Sequence, residues 1–230
     1  MSEPGRIPSG SRSVVTAAFW RSRRAAAVAG IVFAVLLMTA LIMLRLALSD
    51  WSLEILRSDP PRRTLIHISL QLVPFAGIAF LWFIGVIREQ IGVVEDRLFS
   101  TVFLGSGLLF LAMLFVGAVT STSLLEMLAG PDVNVELWAY GRSSTQAIIS
   151  VYAMRMAAVF TLSVSTLGLR TAALPRWVSL IGYAAALVLI LAAGEHKWTQ
   201  LVFPAWVLLV SLVILFTRPP ARPAAGTSSP

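Results

Sequence analysis

Six stretches of this 230-residue chain are apolar over 17 residues or more, at 25–48, 65–87, 98–128, 146–169, 177–193 and 201–217. A bilayer core about 30 Å thick is crossed by about 20 helical residues at 1.5 Å each, so each stretch is long enough to span or nearly span it. Inside hydrocarbon the backbone must satisfy its own hydrogen bonds, and helix is the state that does so within one segment. The expected fold is therefore all-α, a polytopic bundle of six transmembrane helices. The third stretch is longer than a perpendicular crossing needs and is expected to tilt or to extend past the surface. Hydrophobic residues make up 57% of the chain and charged residues 13%, against about 45–50% and about 25% in soluble domains. That balance excludes a soluble globular enzyme, a disordered chain and a nucleic-acid-binding domain.

The net charge of +7 reads as a topology signal, because the basic residues sit between the apolar runs. One side collects 11 basic residues (Arg6, Arg12, Arg21, Arg23, Arg24, Arg88, Arg97, Arg170, Arg176, Arg218 and Arg222) against four acidic ones. The other side has six (Arg45, Arg57, Arg62, Arg63, Arg142 and Lys197) against seven acidic ones. The positive-inside rule makes the first side cytoplasmic and puts both termini there. Trp20 and Trp177 fall at expected inner ends, and Trp51, Trp138 and Trp198 on the outer side, as interfacial aromatic belts do. Trp82 and Trp206 lie within spans and read as packing residues.

The segment 1–24 is rich in Ser, Arg, Gly and Pro and is expected to be mobile; 218–230 has the composition of a disordered tail. The first apolar run exceeds the 7–15 residues of a signal peptide and reads as a retained span. Around Asp50, Trp51 and Ile55 a short interfacial helix is expected, stopped by Pro60 and Pro61. Gly130-Pro131 breaks the chain after the third span, and the following segment with Trp138 and Tyr140 is expected against the headgroups. Gly30 with Ala34, and Gly182 with Ala186, put small residues on one helix face, where helices approach closely. Pro74 and Pro204 are candidate kinks.

Arg155 is the most informative single residue. It lies about 15 Å along the fourth span counted from Thr145, near the midplane. A central arginine costs about 2.5–3.5 kcal/mol on insertion scales, so it is expected to face protein or water. Tyr152 sits one turn away on the same face. Glu126 is the nearest acidic candidate by depth, with Gln71, Thr120 and Ser121 as other partners for the guanidinium. Two roles compete: a structural arginine that locks helices, and a cation that binds an anionic ligand or lipid headgroup from the outer side together with Tyr152, Gln71, Glu126 and His67.

The chain has no cysteine, which removes disulfides, iron–sulfur clusters and cysteine catalysis. His67 and His196, even with Glu126 and Glu195, match no metal or haem spacing, so neither a metal nor another cofactor is expected. Gly105-Ser106-Gly107 lacks the pattern of a hydrolase elbow, and the only lysine, Lys197, stands outside any phosphate-binding loop. Apart from Glu126 near the outer end of the third span, no Asp or Glu lies inside a span, which removes the usual proton relay of a coupled transporter and an aspartyl intramembrane protease.

Two segments on the inner side carry a resemblance: Phe80-Leu81-Trp82-Phe83-Ile84-Gly85-Val86-Ile87-Arg88-Glu89, and Leu167-Gly168-Leu169-Arg170-Thr171-Ala172-Ala173-Leu174-Pro175-Arg176-Trp177. From the second span to the sixth, the chain resembles small multi-pass inner-membrane proteins of unknown function from actinobacteria and other bacteria. The resemblance implies a bacterial cytoplasmic membrane and carries no activity. The expected role is a non-enzymatic accessory subunit or a binder of lipid or another small amphiphile. A transporter or channel with an outward-facing cavity around Arg155 is the alternative, and a membrane-embedded enzyme with no assignable catalytic residues a third. The expected partners are the bilayer itself and another membrane protein or a second copy, with no nucleic acid.

Overall fold

The structure is a computed structural model that describes residues 10–47, 53–91, 97–130, 133–171, 174–196 and 198–216. It is all-helical, with no strand among the described residues. Its elements are α1 (Gly10–Ala47), α2 (Leu53–Ser58), α3 (Pro60–Ile91), α4 (Arg97–Ala129), α5 (Val135–Ala147), α6 (Met154–Arg170), α7 (Arg176–Leu191) and α8 (Val202–Phe216). Five segments are long and apolar enough to cross a membrane: Arg24–Ala47, Pro60–Arg88, Ser100–Leu128, Val135–Arg170 and Thr199–Phe216. The sixth, α7, is apolar but 16 residues long, about 24 Å, so it needs a thinned or locally adapted bilayer. The protein is an α-helical membrane bundle. Helix α1 begins at Gly10, upstream of the expected span. The residues expected to form the disordered tail, and Asp50, Trp51 and Pro131, lie outside the described residues.

Local chemistry sets the helix starts. Asp59 caps α3: its carboxylate accepts from Arg62 N at 3.2 Å and pairs with Arg62 Nε at 2.9 Å. Pro60 then occupies the first helical position, where a missing N–H is harmless. The proline pair therefore opens α3 as well as ending α2. Asn134 caps α5 by accepting from Leu137 N at 3.0 Å. Pro204 sits in the first turn of α8, where it breaks no hydrogen bond, whereas Pro74 lies inside α3, which continues through it. The turn after α7 passes through Gly194 at φ 90°, a left-handed conformation that favours glycine.

Helix α1 packs on α3 and α8, while α6 packs on α4 and α7. Between them lies a cluster of phenylalanines from five helices. Phe33 meets Phe80 at 4.5 Å, Phe110 meets Phe203 at 4.8 Å and Phe80 meets Phe160 at 5.2 Å between ring centroids. Lipid tails are as apolar as these rings, so burial alone does not favour the bundle; close packing and edge-on ring contacts do. Glycine permits the approach. A methyl on Gly30 would collide with Ser211 Oγ, and one on Gly182 with Ser165 Oγ and, at 2.8 Å, with Trp206 Nε1. Both small-residue pairs read from the sequence are thus closely packed at their glycine. Several hydroxyls inside the spans bond back to their own helix, as Ser121 does to Gly117 O at 2.7 Å and Thr161 to Ala157 O at 2.8 Å.

The tryptophans divide differently from expectation. Trp206 is core, but Trp82 is exposed on the bundle surface. Trp177 and Trp198 are exposed near helix ends, in keeping with a belt, while Trp138 is buried. It turns inward because α5 does not lie flat after the break. It runs without interruption through a π-helical turn, Ile148–Ala153, into α6.

Candidate functional site

A cavity of about 300 Å³ opens in the half of the bundle where α1 ends and α5 begins, called the distal half below. Its apolar wall is rich in leucine: Leu41 and Leu44 from α1, and Leu124, Leu125 and Leu128 from α4. Leu56 of α2 and Ile66 of α3 add to it. All of these but Leu41, which belongs to the phenylalanine cluster, form a small satellite core with Ala47, Leu70 and Trp138. Short helix α2 therefore helps to wall this space.

Polar groups enter this apolar space from two sides. Arg45, in the last turn of α1, is half-buried and lines it. It makes no hydrogen bond or ion pair among the described residues. From α5 comes Arg142, whose guanidinium carbon stands 5.5 Å from the ring centroid of Trp138. The two residues are one turn apart on α5, which aligns the cation over the indole face. Among the described residues, no acidic side chain lines the cavity. Two cations in an apolar, partly enclosed space attract an anion more strongly than the same charges in water.

The remaining polar lining comes from irregular backbone. The π-helical turn carries Ser150, whose Oγ accepts from Gln200 Nε2 at 2.6 Å, and both residues are buried. Gln200 lies in a single 3-10 turn, Thr199–Leu201, that leads into α8. Thr145 donates to Thr120 Oγ1 at 2.9 Å, tying α5 to α4. A π-helical turn spaces side chains differently from an α-helix and frequently marks a functional site. Here it puts Ile149 and Ser150 into the cavity wall while Tyr152 is turned outward.

None of the five residues singled out from the sequence lines this cavity. His67 and Gln71 are exposed on one face of α3. Glu126 is exposed near the distal end of α4. Tyr152 and Arg155 are exposed together on the outside of the bundle. Arg155, expected to face protein or water, does not turn into the bundle; Met154, Ala157, Ala158 and Thr161 take the inward positions. Thr120 and Ser121, weighed as its partners, bond to their own helix carbonyls. No hydrogen bond or ion pair links the five among the described residues. No group of three or more metal-ligating side chains occurs among the described residues either. Arg45 and Arg142 escaped the sequence reading because each carries the mark of a topology charge at the edge of an apolar run. In comparisons with known proteins, the chain matches no family model, no curated protein and no solved structure.

Proposed function

We propose that the protein binds an anionic amphiphile in the distal cavity, in a bacterial cytoplasmic membrane with that cavity facing outward. The single observation that carries the reading is that Arg45 and Arg142, from separate helices, line one leucine-rich cavity with no acidic residue among its described lining. A carboxylate or phosphate head matches the guanidinium groups in charge and geometry. An alkyl body matches the leucines. Gln146, Ser150 and Gln200 add neutral hydrogen-bonding groups around the head. Further along α1 stands Phe33, fully buried in the aromatic cluster. Passage across the membrane would require that cluster to part, so binding is the simpler role.

The test uses the full chain in nanodiscs of zwitterionic lipid. Lauric acid and dodecyl phosphate are titrated, with dodecanol as the uncharged control. Both anions are expected to raise the melting temperature, and dodecanol is not. Arg45→Gln and Arg142→Gln should each weaken binding about tenfold or more, the worth of one charged hydrogen bond. Equal affinity for the alcohol and the anions, or full affinity in both variants, would overturn the reading. If only the phosphate or only the carboxylate binds, the head group is assigned between phospholipid and fatty acid.

A further inference from the structure

A second feature stands apart from the cavity. Helix α4 runs antiparallel to the continuous segment of α5, the π-helical turn and α6, and three contacts fix the register: Thr145 Oγ1 with Thr120 Oγ1, Ile149 against Gly117, and Phe160 against Gly107. Interpolating between these contacts places Arg155 level with Leu111. Leu111 lies roughly 16 Å along the Ser100–Leu128 span from Ser100, which is close to half the thickness of a bilayer core of about 30 Å. Arg155 is exposed there. It makes no hydrogen bond or ion pair among the described residues. Its three-methylene stem is too short to lift the guanidinium from that depth to the headgroups. A lone cation facing hydrocarbon at mid-depth is unfavourable, so something must cover this face in the membrane.

A second copy of the chain does not supply the missing charge. None of the 11 acidic residues falls in the middle of an apolar stretch of the sequence. A symmetric pair would set Arg155 against its own kind or against apolar side chains. We infer that the face of α6 formed by Tyr152, Arg155, Val159 and Leu162 docks a transmembrane helix of another protein, one that carries an Asp or Glu near its middle. Val159 and Leu162 are half-buried and continue the strip one and two turns from Arg155. The partner's carboxylate pairs with the guanidinium. The Tyr152 hydroxyl, 59% of whose residue surface is exposed, offers that carboxylate a second donor. The apolar remainder of the partner helix packs along Val159 and Leu162.

The inference is tested with the full-length protein in zwitterionic liposomes and a synthetic 21-residue Leu/Ala transmembrane peptide. The peptide carries a single central Asp, or Asn or Leu at the same position. Because the chain has no cysteine, an acceptor dye on Leu169→Cys reports association with a donor on the peptide. The Asp peptide should associate at least tenfold more tightly than the Leu peptide. Arg155→Leu should remove that difference, while Arg155→Lys keeps part of it. In the reciprocal arm, Arg155→Glu should prefer a central-Arg peptide, which keeps the test open should Arg155→Leu fail to fold. Equal association of the Asp and Leu peptides, survival of the Asp preference in Arg155→Leu, or Arg155-dependent association between dye-labelled copies of the chain would each overturn it. Loss of amphiphile binding in the cavity would leave these outcomes unchanged.

Discussion

Buried hydroxyls and one indole show how tightly single atoms are placed in this bundle. Ser165 Oγ, Ser179 Oγ, Trp206 Nε1 and Ser211 Oγ are fully buried and lack a hydrogen-bond partner. Ser165 and Trp206 converge on Gly182, where α6, α7 and α8 meet. Two substitutions separate space from polarity at this point. Gly182→Ala drives a methyl into both groups and is expected to cost about 1–3 kcal/mol, as overpacked cores do. Ser165→Ala removes a hydroxyl that already lacks a partner, so it should be near neutral, within about 1 kcal/mol, since no hydrogen bond is lost. Combined, the two should be less harmful than their sum, because the alanine at 165 vacates the space the new methyl needs. Thermal unfolding in a fixed detergent measures the cycle. Strict additivity would mean that the contact between Gly182 and Ser165 is not what limits this site.

At the scale of elements, the π-helical turn between α5 and α6 is the decisive departure from regular structure. It accommodates one extra residue, so α5 can present Arg142 and Thr145 to the cavity while α6 presents Phe160 and Val164 to the core. Deleting Val151 should convert the turn to α-helix and keep the register of both flanking helices. The bundle should still fold, with a melting temperature within a few degrees, because the phenylalanine cluster is untouched. The Ser150–Gln200 hydrogen bond should be lost and amphiphile binding should fall at least tenfold, about 1.4 kcal/mol. Unchanged binding would show that the cavity does not depend on the turn. A π-helical turn leaves no signature in hydrophobic periodicity, so the sequence reading placed a headgroup-lying segment before the fourth span where α5 enters the bundle. The spans themselves were legible to within a few residues at several ends, because bilayer thickness and hydropathy set them. The level of Arg155 along its helix was legible too, by counting residues. Its direction was not. The inward face of α6 is built largely from Ala, Ser and Thr, with Met154 and Phe160 among them, so apolar side chains do not mark one side of the helix. The cavity was illegible for a related reason, since it joins charges from two segments that are distant in the chain.

For the whole molecule, the remaining question is which end faces the cytosol, and the structure sharpens the charge argument. Six crossings return the last described residues to the end where α1 begins. At that end Arg24, Arg88, Arg170 and Arg176 are all exposed. At the distal end, Arg62 is held by Asp59, and Arg45 and Arg142 line the cavity. With Arg45 and Arg142 partly buried and Arg62 paired, fewer distal arginines are presented to the surroundings than their count suggests, which steepens the asymmetry read by the positive-inside rule. Cysteine labelling can decide the matter without background, since the chain has none of its own. Glu195→Cys, in the exposed turn between α7 and α8, should react with a membrane-impermeant maleimide in intact bacterial cells. Ser2→Cys should react only after permeabilisation. The reverse pattern would turn the Arg45–Arg142 cavity toward the cytosol and move the source of its amphiphile from the outer leaflet to the inner one.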